Sequence, residues 1–185
     1  MHILTNLREI FTEYLEDNQF YQNPKELYEP NNYFLNIGGK RMRPVLVLLG
    51  AHLYRNNLKD ALPAALAIEY FHNFSLIHDD MMDNAPIRRG KTTIHEKYGP
   101  NTAVLSGDVL LVYAYKFLTK VPEENLKLVY EIFSDTAIEV CEGQQLDMNF
   151  ETQSNVTEEE YIWMIRLKTS VVLAAGLQLG AIIGG

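Results

Sequence analysis

The chain has 185 residues, 47% of them hydrophobic and 22% charged, which is enough for one domain with a sizeable core and excludes a disordered or fibrous chain. Its formal net charge is −8, which excludes nucleic acid as a general partner, because duplex binding relies on many cations set against phosphates. The positive charge that exists is gathered into Lys40, Arg41 and Arg43, then Arg88, Arg89 and Lys91, a distribution suited to compact anionic ligands.

Ile3, Leu7, Ile10, Phe11, Tyr14 and Leu15 recur at helical spacing and predict a first amphipathic helix, not a signal peptide. Asn23-Pro24, Pro30 and Asn31-Asn32 interrupt the chain and leave room for one short helical turn. Gly38-Gly39-Lys40-Arg41-Met42-Arg43-Pro44 then precedes the apolar run VLVLLGAHLY. Glycines suit a loop and proline a first turn, so a helix is expected to begin near Arg43 or Pro44. That places the basic residues at the positive end of a helix dipole. The segment is not a P-loop, since GxxxxGK[ST] is absent.

A central helix is expected from about Leu62 to Met82, closing on Asp79, Asp80 and Asp83 and breaking at Asn84-Ala85-Pro86 before Arg88 and Arg89. Residues four apart share a helix face, so Asp79 and Asp83 point the same way. At about 6 Å their repulsion is worth roughly 3 kcal/mol when sheltered and far less when wet. A solvated acidic helix end is one reading of this stretch. The other is a magnesium site, because that ion takes hard oxygen ligands and is commonly held by one or two carboxylates plus substrate phosphates. The nearby arginines match phosphate oxygens with a two-pronged fork. On the same face, stepping back, lie Leu76, His72 and Glu69, while Leu66, Tyr70, Phe74, Ile77 and Met81 form an apolar stripe expected to face a core.

A helical turn is expected over Thr93–Tyr98, ended by Gly99-Pro100, then a helix over Thr102–Lys120 that is apolar almost all round, implying deep burial or a subunit contact. Asp108 within it reads as a paired core aspartate. Pro122 starts the next helix, which carries Cys141-Glu142-Gly143-Gln144-Gln145-Leu146-Asp147. Glycine costs about 1 kcal/mol in a helix interior, so something is expected to approach closely at Gly143. Gln144 and Asp147 share a face, either merely solvated or turned to a site. The lone Cys141 forms no intramolecular disulfide, reads as a small buried residue, and fits a reducing, cytoplasmic compartment. Thr157 with Glu160 is a capping box. After it, Lys168-Thr169 separates an amphipathic helix from SVVLAAGLQLGAIIGG, whose uncharged run is short for a membrane span and whose small residues favour close helix packing. No strand pattern reaches comparable strength, so the fold class is all-α.

GGKRMRP, FHNFSLIHDDMMDNAPIRRGKTTIHEKYG, EGQQLDM and the Lys168-Thr169 pair, in that order, make the chain resemble the trans-isoprenyl diphosphate synthases, also called polyprenyl synthetases. The resemblance runs from about Leu35 to Gly185. It implies an all-α helical bundle around a deep central cavity, a homodimer, and magnesium-dependent joining of isopentenyl diphosphate to an allylic diphosphate (dimethylallyl, geranyl or farnesyl), with the released diphosphate taking up the proton. It implies that Asp79 and Asp83, supported by Asp80, hold magnesium, and that Arg88 binds the allylic diphosphate. Lys40, Arg43, His72 and Arg89 would form the isopentenyl diphosphate pocket, with Gln144 and Asp147 lining the allylic site and Lys168 and Thr169 standing near the developing cation.

The resemblance also implies that Phe74 and Ser75, five and four positions before Asp79, set product length. The ring of Phe74 predicts a short C15–C20 product. The second aspartate-rich motif of the family is not found in the sequence, so the chain reads as the N-terminal portion of a single synthase domain, with little condensing activity alone. Two other readings stay open. One is a non-catalytic helical partner subunit of a synthase; the other is an HD-type metal phosphohydrolase built on His78-Asp79 with His52 or His72. A terpene cyclase would share the aspartates but has no use for the second basic pocket.

Overall fold

The computed structural model describes residues 2–185, and they are helical nearly throughout. The chain runs α1 (His2–Asp17), α2 (Lys25–Asn36), α3 (Met42–His52), α4 (Leu62–Met82), β1 (Ile87–Arg88), β2 (Lys91–Thr92), α5 (Ile94–Tyr98), α6 (Pro100–Leu118), α7 (Glu123–Phe150), α8 (Glu158–Ile165), a π-turn (Arg166–Ser170) and α9 (Val171–Gly184).

α4 is the axis of the molecule. Every residue from Pro63 to Phe71 is buried, so its first half has no wet face, and the small side chains of Ala64, Ala65 and Ala67 let neighbouring helices close around it. The expected split into an apolar and a chemical face is only partial in the second half, where Ile77 is buried but Phe74, placed on the apolar stripe, is half-buried. There Ser75, Leu76, His78 and Asp79 are half-buried and Met82 and Asp83 exposed, so the helix runs from solid core out into open cavity. α6 and α3 pack against α4, and α9 packs along α3. That last crossing is close because glycines make it so: a Cβ on Gly184 would lie 2.7 Å from the Ala51 carbonyl oxygen, and Gly50 and Gly180 admit backbone more tightly still.

Several expectations are revised. Between Pro24 and Asn36 the chain forms a full twelve-residue helix, not a single turn, with Pro30 inside it. Burial of Pro30, Asn31, Phe34 and Leu35 outweighs the backbone bond that proline removes. Asn32 reinforces the helix by clasping Phe20, accepting from its N–H at 2.9 Å and donating to its carbonyl at 2.6 Å. α6 is not buried all round: Ala103, Leu110 and Ala114 face inward, but Leu105 and Val112 are exposed. Asp108 is not a core residue either, since its side chain is 55% accessible with His78 3.7 Å away. The segment from Glu158 to Gly184 is continuous enough to reach membrane-spanning length and hydropathy, with half of its apolar window buried against the rest of the chain. The capping box of Thr157 and Glu160 opens α8 as expected.

Candidate active site

A two-residue hairpin returns the chain from α4, and neither strand was anticipated. Ile87 pairs Thr92 and Arg88 pairs Lys91, leaving Arg89-Gly90 as the turn. Both turn residues have positive φ, 51° and 75°, as a tight primed hairpin turn requires. The turn sends the two arginines to different places. Arg88 folds back on α4, its Nε donating to Asp80 Oδ1 at 2.7 Å and its Nη2 to Asp79 Oδ2 at 3.2 Å. Arg89 crosses to the loop before α3 and donates to the Gly38 carbonyl.

Two cavities flank the second half of α4. The first, of about 280 Å³, has an apolar wall that includes Phe74, Leu76, Met82, Val140 and Met148 and a polar wall that includes Asp79, Gln144, Lys168 and Thr169, with Ser75 beside Phe74. The second, of about 480 Å³, is lined by Gly39, Lys40, Arg41, Met42, Arg43, Glu69, His72 and Arg89. Arg43 and His72 line both. Arg43 Nη1 stands 3.1 Å from His72 Nε2, so this pair is the partition between the two spaces. Burial, then the charges of Arg43, Arg89, Arg88 and Arg41, push His72 down to about 2. The imidazole is therefore neutral and accepts from Arg43, which leaves its own proton on Nδ1. Burial also lowers Arg43, with Glu69 opposing and Arg89 adding to the effect; Arg89 is lowered by burial and then by Arg41.

On the first cavity's polar wall the charges are cross-linked. Lys168 Nζ lies 2.5 Å from Asp147 Oδ2 and 3.0 Å from Asp79 Oδ1, the latter an ion pair not aligned as a hydrogen bond. Lys168 thus lines the cavity. Of the two readings of the Asp147 face, solvated or turned to a site, the pairing with that ammonium favours the second. Asp80, placed among the metal ligands by resemblance, is 1% exposed and tied to Arg88, so it anchors the hairpin and does not face the cavity. Burial raises Asp80 against the lowering pull of Arg88. Asp83 caps the end of α4, and burial followed by the charge of Asp79 raises it too.

No set of three His, Cys, Asp or Glu converges on one point among the described residues. Asp79 and Asp83 nevertheless fit magnesium: they offer hard oxygens one turn apart, and Asp79 Oδ1 is buried without a hydrogen-bond partner, so it is open to a cation whose other positions water or phosphate can fill. His78 Nε2 is taken up by the Val104 carbonyl of α6 at 3.2 Å, which disfavours its use as a metal ligand in a His-Asp phosphohydrolase centre.

Two residues had been read differently. Arg41, counted only as part of a basic cluster, is structural: it pairs with buried Glu69 and donates to the Leu35 carbonyl at 2.5 Å. Cys141, expected to be buried, is exposed and lines the first cavity with Gln144 and Met148. Their spacing of three and seven residues marks one helix face and was available in the sequence.

The chain was compared with known proteins. It is 47% identical over 164 residues to the geranylgeranyl diphosphate synthase of Methanosarcina mazei, covering 88% of this chain and 51% of that one. It is 38% identical to the geranylfarnesyl diphosphate synthase of Natronomonas pharaonis, covering 96% and 58%. The solved geranylgeranyl pyrophosphate synthetase of Geoglobus acetivorans superposes with a TM-score of 0.94 at 38% identity over 98% of this chain and 60% of that one. The chain thus spans a little over half the length of these relatives. The pattern that defines the polyprenyl synthetases matches residues 24–185, nearly the whole chain, and the chain belongs to the polyprenyl synthetase family.

Proposed function

We propose that this chain supplies the substrate-gripping part of a trans-prenyltransferase that joins isopentenyl diphosphate to an allylic diphosphate (dimethylallyl, geranyl or farnesyl) and yields a short polyprenyl diphosphate. One observation carries the reading: an apolar cavity with a wall of paired charges and a predominantly basic pocket meet at the Arg43–His72 pair. Two anionic substrates, one with a long tail, need that arrangement.

Lys40, Arg43 and Arg89 take the diphosphate of the isopentenyl unit, and neutral His72 fixes Arg43 without adding charge. The allylic diphosphate belongs beside Asp79 and Asp83, where Lys168 and Arg88 exchange their carboxylate partners for phosphate oxygens. Magnesium held by Asp79 and Asp83 supplies Lewis-acid stabilisation of the departing diphosphate. Fixed cations add electrostatic stabilisation where charge develops. The apolar wall, Phe74, Leu76, Val140 and Met148, keeps water from the allylic carbocation. Phe74 is held between Phe71, at 5.8 Å, and His78, at 4.7 Å between ring centroids, which fixes the ring in the wall and limits tail length. Exposed Leu105 and Val112 on α6 support pairing with a second copy, and a single free cysteine supports a reducing, cytoplasmic setting.

Calorimetry with geranyl diphosphate and magnesium tests the reading. Uptake is expected to depend on magnesium and to weaken by on the order of a hundredfold in Asp79→Asn, because a charged ligand group is lost. Heat of binding unchanged by that substitution sinks it.

A further inference from the structure

α7 meets the π-turn at two points one helical turn apart. At Gly143 it receives backbone: a Cβ there would lie 2.7 Å from Lys168 Cα and 2.8 Å from the Leu167 carbonyl carbon, and nearer still to the Lys168 nitrogen. At Asp147 it receives the tip of the same residue, with Lys168 Nζ at 2.5 Å. The ammonium simultaneously reaches Asp79 on α4 at 3.0 Å. Gly143 sits inside a 28-residue helix and is not among the residues with positive φ, so nothing in the backbone of α7 itself calls for glycine. A glycine there costs about 1 kcal/mol of helix stability. What it provides is room, and what fills the room is the widened turn that carries Lys168. Such π-turns re-aim a side chain within an otherwise regular helix.

We propose that Gly143 is a positioning residue of the active site: by admitting the π-turn backbone against α7, it sets Lys168 so that one ammonium spans Asp147 and Asp79. A side chain at 143 lifts the turn away and Lys168 can no longer hold both carboxylates. What Lys168 does for a diphosphate rests on the prenyl-transfer reading, but where it stands does not.

The test is made on the full 185-residue chain by acylating lysines and following each site by mass spectrometry. Lys127, whose side chain is 89% exposed, serves as the internal reference. Gly143→Ala is expected to raise the rate at Lys168 relative to Lys127 by about tenfold, the factor implied by losing one charge-assisted hydrogen bond. If Gly143 served packing alone, the melting temperature would fall with that ratio unchanged, and the proposal is overturned. Should Gly143→Ala fail to fold, Asp147→Asn decides instead, since it removes one of the ammonium's two partners and keeps the backbone seat and Asp79. Lys168 is then expected to remain slower than Lys127, and equal rates overturn the proposal. Failure of geranyl diphosphate to bind the unaltered chain strikes the prenyl-transfer reading and leaves this ratio unmoved, so the two fail separately.

Discussion

The two cavities balance charge in opposite ways. At the first, carboxylates and cations alternate: Asp79 and Lys168 line the wall, and Asp147, Arg88 and Asp80 extend from them in one chain of contacts. The second gathers Lys40, Arg41, Arg43 and Arg89 around Glu69, the one carboxylate among its lining residues. Glu69 is buried and already paired with Arg41. One wall holds its shape without a ligand; the other carries surplus charge that an anion relieves. The difference teaches where ligand binding should stabilise the fold most.

The comparison is tested hardest at Glu69. Glu69→Gln leaves buried Arg41 unpaired and adds to repulsion with Arg43 and Arg89, so a loss of about 3–5 kcal/mol is expected in urea unfolding. Saturating inorganic pyrophosphate should return part of it, about 2.7 kcal/mol at a hundred times Kd. A loss below about 1 kcal/mol would show that the basic pocket is not held by this carboxylate. In the other cavity, Phe74→Ala removes the ring that closes the tail space. The product, made by a synthase containing this part, is expected to lengthen by at least one isoprene unit by mass spectrometry, since discrimination per buried group is about 1–3 kcal/mol.

His72 gives a pH-dependent contrast. Its folded value of about 2 lies below the ordinary one, so between pH 2 and 6.5 the unfolded chain binds more protons than the folded chain, and stability contributed by the neutral ring is lost as pH falls through that window. At pH 5 the penalty is about 2 kcal/mol. His72→Asn, which keeps an acceptor for Arg43, should flatten the acid limb of the stability curve by that amount. An unchanged slope between pH 7 and 5 would mean that the partition is not dry.

Much of this contrast was legible in the sequence because it is written in helical spacing. Asp79 and Asp83, the burial of Leu66, Tyr70 and Ile77, the glycine face of α9 and the close approach at Gly143 all follow from period and residue size. What was not legible depends on contacts between distant segments. Arg41 and Arg43 are two residues apart and equally basic, yet one neutralises Glu69 and the other meets His72, a choice made by the left-handed φ of 51° at Arg41. The pairing of Asp79 and Asp80 with Arg88 was likewise hidden, because the hairpin that returns Arg88 to them has two-residue strands, too short for any alternating pattern. The helix through Pro30 was hidden because tertiary burial overrode a local breaker.

The smallest expected effect lies on the self-neutralised wall. Asp147→Asn removes one of two carboxylates from Lys168, but Asp79 remains 3.0 Å away and the ammonium is 25% exposed, Asp147 itself 38%. Solvent therefore screens the pair, and the stability change should be no more than about 1 kcal/mol. A buried polar contact removed from Glu69 and a screened one removed from Asp147 are the same chemical edit, acid to amide, made in two electrostatic settings. Equal losses at the two sites, measured by urea unfolding at the same pH and salt, would erase the distinction between a wall that neutralises itself and a pocket that waits for an anion.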